Sequence, residues 1–188
     1  MGREWFRAKA VQVTVLAVVA GVARAGTVPT DGMVITTNTT FNPGTYNLPN
    51  GITIAASGIT VQGNGTILVG SGYGNGLYCS GRANVTVKNL TIRSYFHGMH
   101  FYDCDDLTVD NCDVFNTPEL PEGSIFLNIF DGPNGSYAHA MWFRYCDRAT
   151  IRNNDVSNQQ NGISLFDCTQ AMVDTNYASY NTGWGIYF

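Results

Sequence analysis

Charge is scarce in this sequence, with 10 Lys and Arg against 14 Asp and Glu in 188 residues, a formal net charge of −4. The basic residues form no cluster, so the stripe of cations that a nucleic acid requires is missing, and nucleic acid is excluded as a partner. Low charge with abundant glycine also excludes a coiled coil and a solvated disordered tail. No stretch carries a convincing helical period of apolar residues. Long apolar runs are nearly absent as well. The one example, residues 10–23, follows Arg3, Arg7 and Lys9 and ends at Ala23-Arg24-Ala25. That layout predicts a secretory signal peptide over residues 1–25, cleaved after Ala25, because the run is short for a bilayer span and is diluted by Gln12 and Thr14. The expected location is secreted or periplasmic, with no membrane association after cleavage.

What the sequence does contain is a rhythm of short β-branched triplets between Gly/Asn/Thr-rich turns: Ile52-Thr53-Ile54, Val85-Thr86-Val87 and Leu107-Thr108-Val109. Aligning Gly76-Leu77-Tyr78-Cys79, Gly98-Met99-His100-Phe101, Ala140-Met141-Trp142-Phe143, Gly162-Ile163-Ser164-Leu165 and Gly185-Ile186-Tyr187-Phe188 exposes a period of about 22 residues. One interval is longer, and the excess assigns an insertion loop to residues 118–137. An irregular earlier unit runs from Gly51 to Asn75. Equivalent positions repeat in kind, with Cys104, Cys146 and Cys168 in one column and Asn89, Asn111 and Asn153 in another.

Several short strands per unit, at this period and without helices, predict an all-β fold: a right-handed single-stranded parallel β-helix over residues 33–188, one unit per coil. A β-propeller needs about twice this length per blade. Like residues then stack from coil to coil, and the Asn column suits a turn whose amides hydrogen-bond along the axis. Asn42-Pro43-Gly44-Thr45-Tyr46, Asn50-Gly51-Ile52-Thr53-Ile54 and Gly63-Asn64-Gly65-Thr66-Ile67 resemble the opening coils of right-handed β-helix repeat proteins with the pectate-lyase-like fold. That group includes pectate lyases, polygalacturonases, alginate epimerases and NosD-like periplasmic proteins. The resemblance implies the fold and leaves the activity open, since one fold hosts many functions. The paired-Asp and His-Gly motifs of polygalacturonases and the Asp-Pro-His-Asp motif of alginate epimerases are both missing.

Two features have ordinary readings. Stacked cysteines point in parallel with Cβ atoms about 4.8 Å apart, outside the usual disulfide range, so the column reads as buried free thiols. A soft-metal site, suggested by the association of NosD with copper, is the lesser reading, and no metal site is assigned. Asn-x-Thr/Ser sequons at Asn38, Asn64, Asn84, Asn89 and Asn134 are what such turns contain anyway.

The candidate site lies on the outer face of the first strand of each coil. Side chains alternate, so with Met99 and Phe101 inward, His100 and Tyr102 point out. The outward columns become Tyr78, His100, Trp142, Ser164, Tyr187 and Ser80, Tyr102, Arg144, Phe166, with Asn75, His97, His139, Asn161 and Trp184 just before the strand. All three histidines of the chain fall in this patch, and Asp103 and Asp167 sit at its edge. Such a face suits polysaccharide, by ring stacking and charged hydrogen bonds. His100, His139 and Arg144 are the candidate catalytic residues, the histidines as general bases near neutral pH and Arg144 as the partner of a substrate carboxylate. Tyr78, His97, Tyr102, Asp103, Trp142, Asp167 and Trp184 are the candidate ligand contacts. No cofactor follows from the residues. Two functions fit: a polysaccharide lyase, glycoside hydrolase or epimerase, or a non-catalytic β-helix that binds glycan or serves as a scaffold. The last unit stops inside its first strand, which predicts C-terminal truncation and self-association through an open coil.

Overall fold

The computed structural model describes residues 26–119 and 137–188. The expected signal segment and nearly all of the 118–137 insertion lie outside the described residues. Chain order begins with β1 (Met33–Ile35), β2 (Thr39–Thr40), β3 (Gly44–Asn47), β4 (Ile52–Ile54) and β5 (Thr60–Val69). The regular coils follow with β6 (Asn75–Ser80), β7 (Thr86–Arg93), β8 (His97–Tyr102), β9 (Thr108–Asp110) and β10 (Asp113–Phe115). Beyond the insertion come β11 (His139–Arg144), β12 (Thr150–Arg152), β13 (Asn161–Phe166), β14 (Met172–Asp174) and β15 (Ile186–Tyr187).

Every pairing is parallel, and the strands form two sheets. The first, in the order β1-β4-β6-β8-β11-β13-β15, has seven strands, and the second has eight along β14-β12-β9-β7-β5-β2 with β3 and β10 attached. Each coil adds one strand to the first sheet and one or two to the second. The register across the insertion matches the expectation from the aligned repeats: His97 pairs with His139, His100 with Trp142, and Tyr102 with Arg144. The irregular early coil is explained by β5, where the pairing with β7 shifts between Gln62 and Thr66. Gly63-Asn64-Gly65 bulges there, with Asn64 at φ 54° and Gly65 at φ 81°.

The core is a stack of columns. Leu77, Met99, Met141 and Ile163 form one, and Cys79, Phe101, Phe143 and Leu165 the next, all buried. The rings of Phe101 and Phe143 stack with centroids 4.9 Å apart. Removing this apolar surface from water on every coil is the main stabilising force of the fold. Gly98 opens β8 because space is lacking for anything larger: a Cβ would lie 2.1 Å from Val114 Cγ1 and 2.6 Å from the Ala140 carbonyl oxygen.

Corners are made by residues in the left-handed region, stacked in four columns: Gly81, Asp103, Tyr145, Asp167; Asn84, Asp106, Arg148, Gln170; Asn89, Asn111, Asn153, Thr175; and Ser94, Asn116, Asn158, Tyr180. Asn and Asp tolerate this conformation best after glycine, which is why they recur. The expected amide ladder exists at one step, where Asn111 Nδ2 donates to Asn89 Oδ1 at 2.6 Å. At the next level Asn153 turns instead to Asp110. A second, interior ladder went unread in the sequence. Asn154, 2% exposed, donates from Nδ2 to the Val109 carbonyl and to Asn176 Oδ1, while its own Oδ1 accepts from the Cys112 backbone N–H.

The five cysteines are free thiols, four of them buried. Cys79, outside the expected column, comes within 3.7 Å of Cys104, sulfur to sulfur.

Candidate functional site

The outer face of the first sheet holds the residues that the repeat assigned to it, but it divides into a closed part and an open part. The closed part gathers all three histidines around Trp142. Its indole lies nearly parallel to His100, with centroids 4.3 Å apart, and to His139, with centroids 5.2 Å apart. His97 approaches the same indole at 4.5 Å and His139 at 5.4 Å. Tyr78 extends the group through His100 at 5.3 Å. His139 Nδ1 and Ser164 Oγ share a hydrogen bond of 2.8 Å.

Trp142 and His139 are each 4% exposed, His97 is 7% and Ser164 is 1%. The expectation that Trp142, His97 and His139 form an open stacking surface is therefore corrected. These side chains leave the core on the outer side of the sheet, yet neighbouring groups cover them, so Trp142 offers no bare ring to a sugar. Burial also sets the protonation of the three histidines. Burial, with the Arg144 charge adding to it, lowers His100 from 6.5 to about 4. Burial and then His100 lower His139 to about 3, and burial followed by His139 and His100 lowers His97 to about 2. Desolvation disfavours the imidazolium, so all three favour the neutral ring. His97 Nδ1, His100 Nε2 and His139 Nε2 are buried without a hydrogen-bond partner. Among the described residues, no three His, Cys, Asp or Glu side chains are arranged to hold a metal ion.

The open part lies at the C-terminal ends of the strands. Arg144, half-buried at the end of β11, places its guanidinium carbon 5.2 Å from the Trp142 ring centroid, 5.3 Å from Tyr145, 5.5 Å from Tyr102 and 5.9 Å from Phe166. The strand register supplies three of these rings: Tyr102 and Phe166 flank Arg144 from the coils on either side, and Trp142 lies two residues earlier on its own strand. Tyr145 is the fourth. It stands in the left-handed corner column at φ 54°, where the neighbouring coils carry Asp103 and Asp167. Sequence reasoning missed Tyr145, although a bulky ring in a Gly/Asp column was the available signal.

Asp103 and Asp167 are exposed at the edge, as expected, but neither pairs with Arg144. The ion pairs of the described residues belong to Arg148 and Arg152. Trp184, half-buried beyond β13, donates its backbone N–H to Asn161 Oδ1 and packs on Tyr187 at 5.1 Å. A groove lined by Asp113, Phe115, Asn116, Asp155, Ser157 and Asn158 lies at β10, on the other sheet, away from this face.

With two parallel sheets, stacked corners and a period near 22 in place, the family described as right handed beta helix region matches residues 75–188. The chain belongs to that family. No curated protein and no solved structure matches it. The right-handed β-helix thus accounts for the architecture, while the chemistry of the face is argued from its own residues. Among the described residues of this β-helix, no helix is long and apolar enough to cross a membrane.

Proposed function

We propose that this β-helix binds polysaccharide on the outer face of its first sheet, with Arg144 recognising an acidic sugar. The observation that carries the reading is an arginine held among four aromatic rings with no carboxylate partner among the described residues. Cation–π contact orients the guanidinium without neutralising it, and with Nε buried, recognition of a ligand carboxylate falls to the terminal amino groups. Tyr102, Tyr145 and Phe166 supply ring surface beside it, and Tyr78 continues the face on an earlier coil. Trp142 acts from beneath, as the plate on which His100, His139 and the guanidinium rest.

The low pKa values of the histidines favour binding over turnover by a lyase, hydrolase or epimerase, because a base with a pKa of about 3 or 4 has little driving force to take a proton at neutral pH. A glycan-binding scaffold is the form of the reading that fits this. Export to a secreted or periplasmic location belongs to the same proposal and rests on residues 1–25. N-terminal sequencing of the exported protein should begin at Gly26, and a retained Met1 would refute it.

The test of binding is a glycan panel containing pectate, alginate and their neutral counterparts, probed with wild-type protein and with Arg144→Ala. Acidic chains should bind, and the substitution should cost about 1.5–3 kcal/mol on those chains, as for a charge-assisted hydrogen bond, with little change on neutral ones. Equal loss on both classes would remove Arg144 from recognition.

A further inference from the structure

We infer that Cys79 and Cys104 are a disulfide-forming pair, joined when the protein folds in an oxidising medium. The argument starts from direction. Cys104 and Cys146 occupy the same place on successive coils, so their Cα–Cβ bonds run parallel and one strand spacing apart, an arrangement unfavourable for a bridge. Cys79 belongs to a different column. It points inward from β6, paired in register with Phe101, whereas Cys104 sits in the corner that follows β8. The two side chains therefore converge from different elements, and their sulfurs are already 3.7 Å apart. Closing that gap to a covalent length of about 2.05 Å brings the sulfurs together by less than about 2 Å.

The surroundings assist. Both residues are fully buried among apolar side chains, so the finished bond is shielded from reductants. Contacts from Cys146 and Cys79 hold the Cys104 thiol well below its usual range, while the contact with Cys104 and burial push Cys79 up. Exchange needs one of the two as a thiolate, and in the open chain either thiol can supply it. With a small-molecule disulfide as oxidant, one of its halves first caps one cysteine and the other leaves as a thiol. The thiolate of the second cysteine then attacks the capped sulfur, the mixed disulfide breaks, and the second half leaves as a thiol. Two protein thiols are oxidised and one disulfide is reduced, so electrons and protons balance. Exchange takes place during folding, before the coils close over the pair. The bond would tie the coil bearing Tyr78 to the coil bearing His100 and Tyr102, directly beneath the proposed binding face.

The full chain is refolded in parallel with oxidised and with reduced glutathione. Each sample is alkylated in denaturant, its free thiols are counted, and cross-linked peptides are identified by mass spectrometry. Five free thiols are expected after the reduced refold, the full complement. After the oxidised refold the Cys79 and Cys104 peptides should be joined, and only Cys112, Cys146 and Cys168 should be alkylated. Cys146 also touches Cys104, so Cys146→Ser is run beside the wild type and should leave the cross-link unchanged. Five free thiols in the oxidised sample, or a bridge from Cys104 to Cys146, would overturn the assignment.

Discussion

The two sheets share a core, a period and a set of corners, and they differ in what their outer faces do with charge. On the second sheet the outward column reads Lys88, Asp110, Arg152, Asp174, alternating in sign along adjacent strands. Arg152 meets Asp110 at 3.0 Å, and beside this column runs a ladder of Thr60, Thr86, Thr108 and Thr150. On the first sheet the corresponding positions carry aromatic rings and histidines, and the one cation, Arg144, has rings where the other sheet has carboxylates. Among the described residues, the second sheet pairs Arg152 with a carboxylate, whereas the first holds Arg144 among rings, which leaves that guanidinium to a partner.

Acid separates the faces most strongly. Each histidine of the first sheet has a folded-state pKa below the ordinary 6.5, so on acidification the unfolded chain takes up protons first. The stability they contribute is complete above about pH 6.5 and is lost as pH falls toward the folded values. At up to about 1.4 kcal/mol per pH unit for each group, the loss between pH 7 and pH 5 should reach at least about 2 kcal/mol in denaturant titrations. Replacing His97 and His139 with Gln should flatten most of that slope. Asp110, on the other sheet, has its pKa lowered by Asn153 and Arg152. Its contribution persists until the pH falls below 3.8. A single transition near pH 4, with nothing between 7 and 5, would show that the histidines are not held neutral.

Next in size is the packing at Gly98. An alanine there should destabilise by about 1–3 kcal/mol, because Val114 and the Ala140 backbone must move. Thermal melts of Gly98→Ala that match the wild type would mean that the coil is looser than its register indicates.

Tyr145→Asn should move stability and binding in opposite directions. Asparagine suits φ 54° better than tyrosine, so stability should rise by up to about 1 kcal/mol. The loss of one ring from around Arg144 should weaken binding to acidic glycan. If both properties fall, the tyrosine contributes more to the fold than its corner position implies.

The smallest effect belongs to the second sheet. Arg152→Ala removes an exposed ion pair and should cost less than about 1 kcal/mol, a cost that shrinks further in salt.

The sequence made the coil register legible because like residues fall on like: Met99 on Met141, Phe101 on Phe143, Asn89 on Asn111. The outward alternation followed from the strand period, and with it the neighbours of Arg144. Exposure was not legible. Alternation says which side of a sheet a side chain leaves from, not whether neighbouring groups then cover it, so Trp142, His97 and His139 were expected at an open surface and lie under cover. Three corner columns were hidden because Tyr145, Arg148, Gln170 and Tyr180 break the Gly/Asn/Asp pattern that marks such turns. The approach of Cys79 to Cys104 was hidden as well, since it joins two columns, and a column-by-column reading compares only residues one period apart.

The contrast between the faces is tested most directly by calorimetric titration of an oligo-uronate into three proteins: wild type, Arg144→Ala and Arg152→Ala. Arg152→Ala should bind as the wild type does, and Arg144→Ala should lose at least about tenfold in affinity, the equivalent of about 1.4 kcal/mol. Equal affinity in all three, or a larger loss from Arg152→Ala, would contradict the assignment of ligand recognition to the aromatic-lined arginine of the first sheet.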